Sequence, residues 1–283
     1  METIELILNL LLKVYIVSVM FAMGLQLSLP HIKKELANTG FVVRALLANI
    51  IIVPLLAMLV IQLAPLSQEM VIAVVLVASA PGYAPILSEM AGGNLARTAA
   101  LMFLMAAVSL VTTPAVATLM FAGQASISIN PLTVIITLLL FQILPLAAGL
   151  VLRSQRLELA QQLQKVFGFI ARIAILIVMV AFLLLEFRYI VRTPWSSLLS
   201  IFVISTGGLA AGYLLGGPAT ADRKTLALNT KIRNLGLALL IAGSEFEGQH
   251  VEREIIVYGL IMYTVAILAA VYWRRKAKPV PAA

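Results

Sequence analysis

The sequence predicts an all-α polytopic membrane protein of about nine spanning helices, two of them broken and crossing within an inverted repeat. Composition is the first reason: of 283 residues 62% are apolar and 11% charged, with a mean hydropathy of +1.06, far outside the range of soluble domains. The second is length, because nine apolar segments each reach the ~20 residues that a bilayer requires. The third is that two of those segments, in separate halves of the chain, are interrupted near their middles.

Taken in order, the segments run over about 5–29, 39–64, 68–92, 94–122, 129–153, 162–187, 195–217, 220–243 and 252–273. Lys13 interrupts the first apolar run and no small-residue cleavage site follows it, so the first helix is expected to stay rather than be removed as a signal. The third segment carries Pro81, Gly82 and Pro85 midway, which removes backbone donors and breaks the helix. Segment eight reads LALNTKIRNLGLALLIAG over Leu226–Gly243 and holds Asn229, Thr230, Lys231, Arg233 and Asn234 at its centre. A cation at membrane depth costs roughly 2.5–3.5 kcal/mol on insertion scales, so this cluster requires protein or water beside it. Gly236, just after it, removes side-chain bulk where helices approach.

The same order repeats in the two halves: a broken segment, one helix, then a polar stretch (Gly123–Asn130) or the tail. Matching segments 1–4 with 6–9 leaves segment five without a partner and gives the copies opposite orientations. This is the plan of many secondary transporters, whose sites lie where broken helices meet. Residues 1–283 thus form a single membrane domain, with 1–122 as a first half-repeat of four helices, 129–273 as a second of five, and 274–283 as a basic tail.

Placing the N-terminus outside puts Lys33, Lys34, Arg44, Arg97, Arg153, Arg156, Lys165, Arg223, Lys224, Arg274, Arg275, Lys276 and Lys278 on the cytoplasmic side. Only Arg188, Arg192 and Arg253 then fall outside, and that asymmetry selects a cell-membrane protein with an external N-terminus and a cytoplasmic C-terminus. It also accounts for most of the +8 net charge without a nucleic-acid partner; the partners implied are the lipid bilayer and a small organic anion. The absence of cysteine excludes disulfides, thiolate metal sites and thiol nucleophiles, and His31 and His250 fall in predicted loops. There is no G-x-S-x-G, H-E-x-x-H or phosphate-binding loop, and no paired carboxylate at membrane depth, so neither an enzyme, a metal site nor a cofactor is predicted.

Several of these motifs together resemble the bile acid:sodium symporter family. MFAMGLQLSLPHIKK (Met20–Lys34) is similar to its M-G-L-x-L segment with following basic residues; Pro81-Gly82 with Gly93-Asn94 is similar to its first crossing helix; Asn234-x-Gly236-Leu237-Ala238 is similar to the end of its second; and Pro114, twenty residues after Asn94, also fits. The resemblance implies a secondary transporter of organic anions working by alternating access. It also implies sodium ligands on both crossing helices, among them a Glu and, four residues later, a Gln. Here those positions hold Asn229 and Arg233, while Pro85, Ile86 and Leu87 stand near a Ser-Asn pair, Thr98 at a Ser and Met102 at a Thr. Hard cations need several oxygen ligands and little positive charge nearby, so sodium coupling is not expected.

Lys231 and Arg233 then read either as fixed charges standing where a mobile cation would bind, attracting an anion, or as snorkelling or Glu89-paired residues. Glu89, placed in the first turn of a resumed helix, reads as an N-terminal or salt-bridging carboxylate, or as a proton-coupling one. Arg172, midway along segment six, is a candidate anion contact in the cleft facing the crossing. Thr98 reads either as a polar contact or as a hydroxyl bonded to the carbonyl one turn earlier. The candidate substrate-binding set is thus Lys231, Arg233, Asn229, Asn234, Thr230, Arg172 and Thr98, supported by Glu89, Pro81, Gly82, Pro85 and Gly236. A non-transporting ligand sensor on the same fold is the other functional reading.

Overall fold

The computed structural model describes residues 2–122 and 127–276, with side chains from residue 6 onward. The predicted tail beyond Lys276, including Lys278, and residues 123–126 of the predicted polar stretch lie outside the described residues, as do the side chains of Glu2 and Glu5. Helices follow one another along the described chain: α1 (Glu2–Gln26), α2 (Leu29–Leu36), α3 (Thr39–Leu63), α4 (Gln68–Ser79), α5 (Pro85–Met90), α6 (Leu95–Phe121) and α7 (Pro131–Gln155). They continue with α8 (Leu157–Leu185), α9 (Phe187–Arg192), α10 (Trp195–Leu215), α11 (Thr220–Lys231), α12 (Leu235–Glu245) and α13 (Val251–Lys276). Seven of these, α1, α3, α6, α7, α8, α10 and α13, are long and apolar enough to cross a membrane. The pairs α4/α5 and α11/α12 are shorter helices end to end across a break, so the chain is an all-α multi-pass membrane protein.

Side-chain caps set several starting points. Asn38, Ser67, Asn94 and Asn234 accept from the backbone N–H groups of Phe41, Met70, Arg97 and Leu237, each satisfying a donor that the first helical turn leaves free. Two spans contain wide π-helical turns, Leu47–Ile52 in α3 and Leu139–Ile143 in α7, and each lies just ahead of a proline, Pro54 or Pro145. A proline inside a helix lacks the amide donor and crowds the carbonyl four residues earlier; the wide turn relieves that crowding and turns an extra side chain inward.

The helices sort into two groups by their packing. In one, α1 lies against both α7 and α8, which also touch each other; Gly24 and Gly149 bring α1 and α7 together so closely that a Cβ on Gly24 would stand 2.1 Å from the Leu146 carbonyl oxygen. In the other, α10 packs on α11, α3 and α13, while α13 also covers α4 and α12. The groups meet where α1 touches α12 and where α7 touches α6 and α12. The core of the second group is α4, whose residues from Met70 to Ser79 are all buried, which explains why that helix shows no polar face.

Candidate functional site

Pro81 and Gly82 end α4, and the chain stays non-helical until Pro85 restarts it as α5. The second interruption is shorter: α11 ends at Lys231, Ile232 is extended, and Asn234 caps α12. The two breaks lie against each other as antiparallel backbone, with Pro81 bridged to Arg233 and the Asn234 amide donating to the Ala80 carbonyl at 3.1 Å. Gly82 makes this approach possible, since a Cβ there would meet the Ile232 oxygen at 2.5 Å and the Arg233 Cα at 2.7 Å. Breaks were expected near Pro81–Pro85 and Thr230–Asn234, and both occur there.

Arg233, 2% exposed, is the hub of the crossing. Its Nε donates to the Val77 carbonyl at 3.3 Å, Nη1 to Asn49 Oδ1 at 3.0 Å, and Nη2 to the carbonyls of Asn49, at 3.3 Å, and of Ala78. Val77 and Ala78 belong to the last turn of α4; the Val77 carbonyl also accepts from the Ala80 amide at 3.2 Å, and the guanidinium closes the negative end of that half-helix. Thr113 donates to the neighbouring Ser79 carbonyl at 2.9 Å and completes the set. A planar cation with five donors thus sits among backbone oxygens.

Asn229 ties the crossing from the other side. Its Oδ1 accepts from the Ala84 amide at 3.0 Å, at the start of α5, and its Nδ2 donates to Ser88 Oγ at 3.1 Å and to the Thr225 carbonyl at 2.8 Å. Thr230 Oγ1 accepts from Asn49 Nδ2 at 3.2 Å. Lys231 is also 2% exposed, yet its Nζ has no hydrogen-bond partner among the described residues. Asn234 uses Oδ1 to cap α12 and Nδ2 to donate to Gln142 Oε1 at 3.2 Å. Gln142 in turn donates to the Ala106 carbonyl at 2.9 Å and to Ser109 Oγ at 2.7 Å, so one amide of α7 fixes the orientation of Asn234.

A cavity of about 540 Å³ opens at this crossing, between α1, α8, the second break and α13. Arg233, Asn234, Gly236, Gly82 and Tyr83 line it from the breaks, Tyr15 from α1, Val178 and Met179 from α8, and Tyr263 and Thr264 from α13. Its wall is mainly apolar, with three tyrosines, one threonine and the amino end of α12 as its polar points. Gly236 lies beneath α1, where a Cβ would stand 3.0 Å from the Tyr15 ring, in keeping with the expectation of a close helix approach.

The other expected residues lie apart from this cavity. Thr98 is buried and donates to the Asn94 carbonyl at 3.0 Å, one turn earlier. Arg172 is exposed on α8 and bonds the Gly168 carbonyl of its own helix at 3.0 Å. Glu89 requires a correction: it is the penultimate residue of α5 rather than part of its first turn, it is exposed, and Arg233 spends its donors elsewhere. Ser88, the residue that follows Pro85, Ile86 and Leu87, supplies a side-chain oxygen to Asn229. Asn49 and Gln142 escaped the sequence reading altogether. Their signal was an amide inside an apolar span a few residues before a proline, the place where a wide turn directs a side chain inward.

A family model described as the Sodium Bile acid symporter family matches residues 13–193 of the chain. The match runs from within α1 to the residue after α9 and includes the first break but not the second. No curated protein matches the chain.

Proposed function

The chain belongs to the sodium bile acid symporter family, and on that premise we propose that this membrane transporter carries a small organic anion by alternating access, without coupling to sodium. The observation that carries the reading is Arg233, whose guanidinium occupies the carbonyl oxygens of Val77, Ala78 and Asn49 at the crossing. The resemblance puts a sodium ligand at this position and another at Asn229, which is committed to Ala84 and Ser88. A tethered cation performs the structural task of the ion and leaves no oxygen cluster for a mobile one.

The substrate site is the cavity beside the second break. An anionic head at the amino end of α12 would meet the positive end of the helix dipole beside Asn234, while Arg233 supplies a fixed positive field. The apolar wall and the Tyr15, Tyr83 and Tyr263 rings would take a hydrocarbon body. Asn229 and Thr230 act behind the cavity by holding the crossing together, and Lys231 is buried beside them. Transport follows if α1, α7 and α8 rock against the other group about this fixed site.

Residues 1–122 and 129–273 form the two inverted half-repeats. Supporting this, α1 and α8 are each followed by a short helix, a long helix, a broken pair and another long helix. The protein resides in the cell membrane with its N-terminus outside, as the distribution of Lys and Arg requires. The test is a thermal-shift panel of carboxylates, from pyruvate and pantothenate to taurocholate, followed by counterflow of each stabilising anion in proteoliposomes. Stabilisation with exchange is the expected result; stabilisation by an anion that is never exchanged would overturn the transport reading in favour of a sensor.

A further inference from the structure

Among the described residues, hydrogen bonds and ion pairs between the two helix groups occur at one end and in the middle of their seam. At the end where α1 begins, Arg253 Nε, near the start of α13, pairs with Glu186 Oε2, at the end of α8, at 2.9 Å. At the same end the backbone N–H of Asn130, the cap of α7, donates to Oε2 of Glu245, the last residue of α12, at 2.7 Å. Each of α7 and α8 therefore contributes one tie, and each tie reaches a different helix of the opposite group. Tyr189 of the linking helix α9 reinforces them: its hydroxyl donates to Glu254 Oε1, and the Arg253 guanidinium lies 5.7 Å from its ring centre. Burial, then the bond to Glu254, raise the pKa of that phenol above its ordinary range, which keeps it a donor.

Midway along the seam, Gln142 joins α7 to Ala106, Ser109 and Asn234. At the opposite, basic end no hydrogen bond or ion pair among the described residues joins α1, α7 or α8 to the other group. The pairs there, Arg97 with Glu35 and Asp222, stay within the second group and the linking helix α2, and Arg153 bonds Leu25 inside the first. A second cavity, of about 340 Å³, lies on the same seam against the tied end, with Leu8, Asn9, Phe182 and Gly243 in its wall and Glu186 and Arg253 among its lining.

We infer that the Glu186–Arg253 and Asn130–Glu245 contacts are the gate that shuts the amino-terminal end of the substrate seam, leaving the basic end as the one free to part. The inference rests on the proposed rocking of the two groups. Closing one end with a few partly exposed ties suits a reversible gate, because such pairs contribute little individually and can be exchanged for water. A permanently sealed interface would use apolar packing throughout.

The chain has no cysteine, so single cysteines report access without background. Thr264→Cys and, separately, Ile256→Cys place a thiol in the crossing cavity, to be labelled by a membrane-impermeant maleimide added from the side that exposes the amino terminus. With the gate intact labelling is slow, and adding Arg253→Ala with Glu245→Ala should speed it roughly fivefold, the scale of two partly exposed ties. The exchanged pair Glu186→Arg with Arg253→Glu should restore slow labelling. Labelling that ignores both the broken ties and the exchanged pair, at both reporter positions, would overturn the gate. Because no substrate is used, labelling that follows the ties sustains the gate even if no anion is exchanged, and in that case only the transport reading falls.

Discussion

Replacing Arg233 by Gln removes a buried cation that satisfies four acceptors: the carbonyls of Val77, Ala78 and Asn49, and the Asn49 side chain. The shorter amide cannot reach all four, so buried acceptors among them lose a partner at membrane depth, although the Val77 carbonyl keeps its bond from the Ala80 amide. Each buried acceptor left unpaired costs about 1–3 kcal/mol, and the lost charge-assisted bonds bring the expected total to about 3–5 kcal/mol. The assay is thermal unfolding of purified variants in one detergent, read as a ranking because such unfolding is commonly irreversible. A double-mutant cycle with Asn49→Ala should show coupling of about 0.5–3 kcal/mol, whereas a cycle with Glu89→Gln should be additive. The freed oxygens should also let Arg233→Gln gain a sodium-dependent stabilisation, about 2.7 kcal/mol at a hundredfold excess over Kd, that the unaltered protein lacks. Rescue of Arg233→Gln by Glu89→Gln, with no coupling to Asn49, would refute the assignment.

Lys231→Met should raise the thermal stability of the empty protein by about 1–3 kcal/mol, because a buried amine without a partner is replaced by an apolar chain of similar length. A fall in stability would show that the amine is paired. Gly82→Ala should prevent the two breaks from meeting and yield little folded protein, whereas Gly168→Ala, with open space at its Cβ, should be neutral or stabilise by about 0.5–1 kcal/mol; size-exclusion profiles of the two variants check this. Tyr263→Phe and Tyr15→Phe should leave unfolding temperatures nearly unchanged while weakening the apparent affinity for the stabilising anion, as read by titration in the thermal-shift assay.

The break positions were legible because their causes are local: Pro81, Gly82 and Pro85 remove donors and bulk, and a run of polar residues from Asn229 to Asn234 cannot face lipid. The cations were legible as anomalies, but their partners were not. Pairing with Glu89 was one of the two readings of Arg233, since a carboxylate is the obvious side-chain partner in a sequence. Instead it binds main-chain carbonyls in the last turn of α4 and the side chain and carbonyl of Asn49, and no side-chain pattern announces which carbonyls a break will expose. Asn49 and Gln142 were hidden for a related reason, because their inward direction depends on wide turns ahead of Pro54 and Pro145. Arg172 shows the converse: it stands midway along α8, yet it bonds Gly168 on its own helix rather than facing the cavity.

If Arg233 has replaced the mobile cation, transport needs no sodium. Uptake of the exchanged anion should therefore be measured in proteoliposomes with sodium on the outside, and again with choline in its place at equal ionic strength. Initial rates should agree in the two media, and the anion should stabilise the protein equally in both. A steep, saturable dependence on sodium would contradict this account, because it would mean that carbonyls and hydroxyls rebuild an ion site at the crossing despite the guanidinium lodged among them.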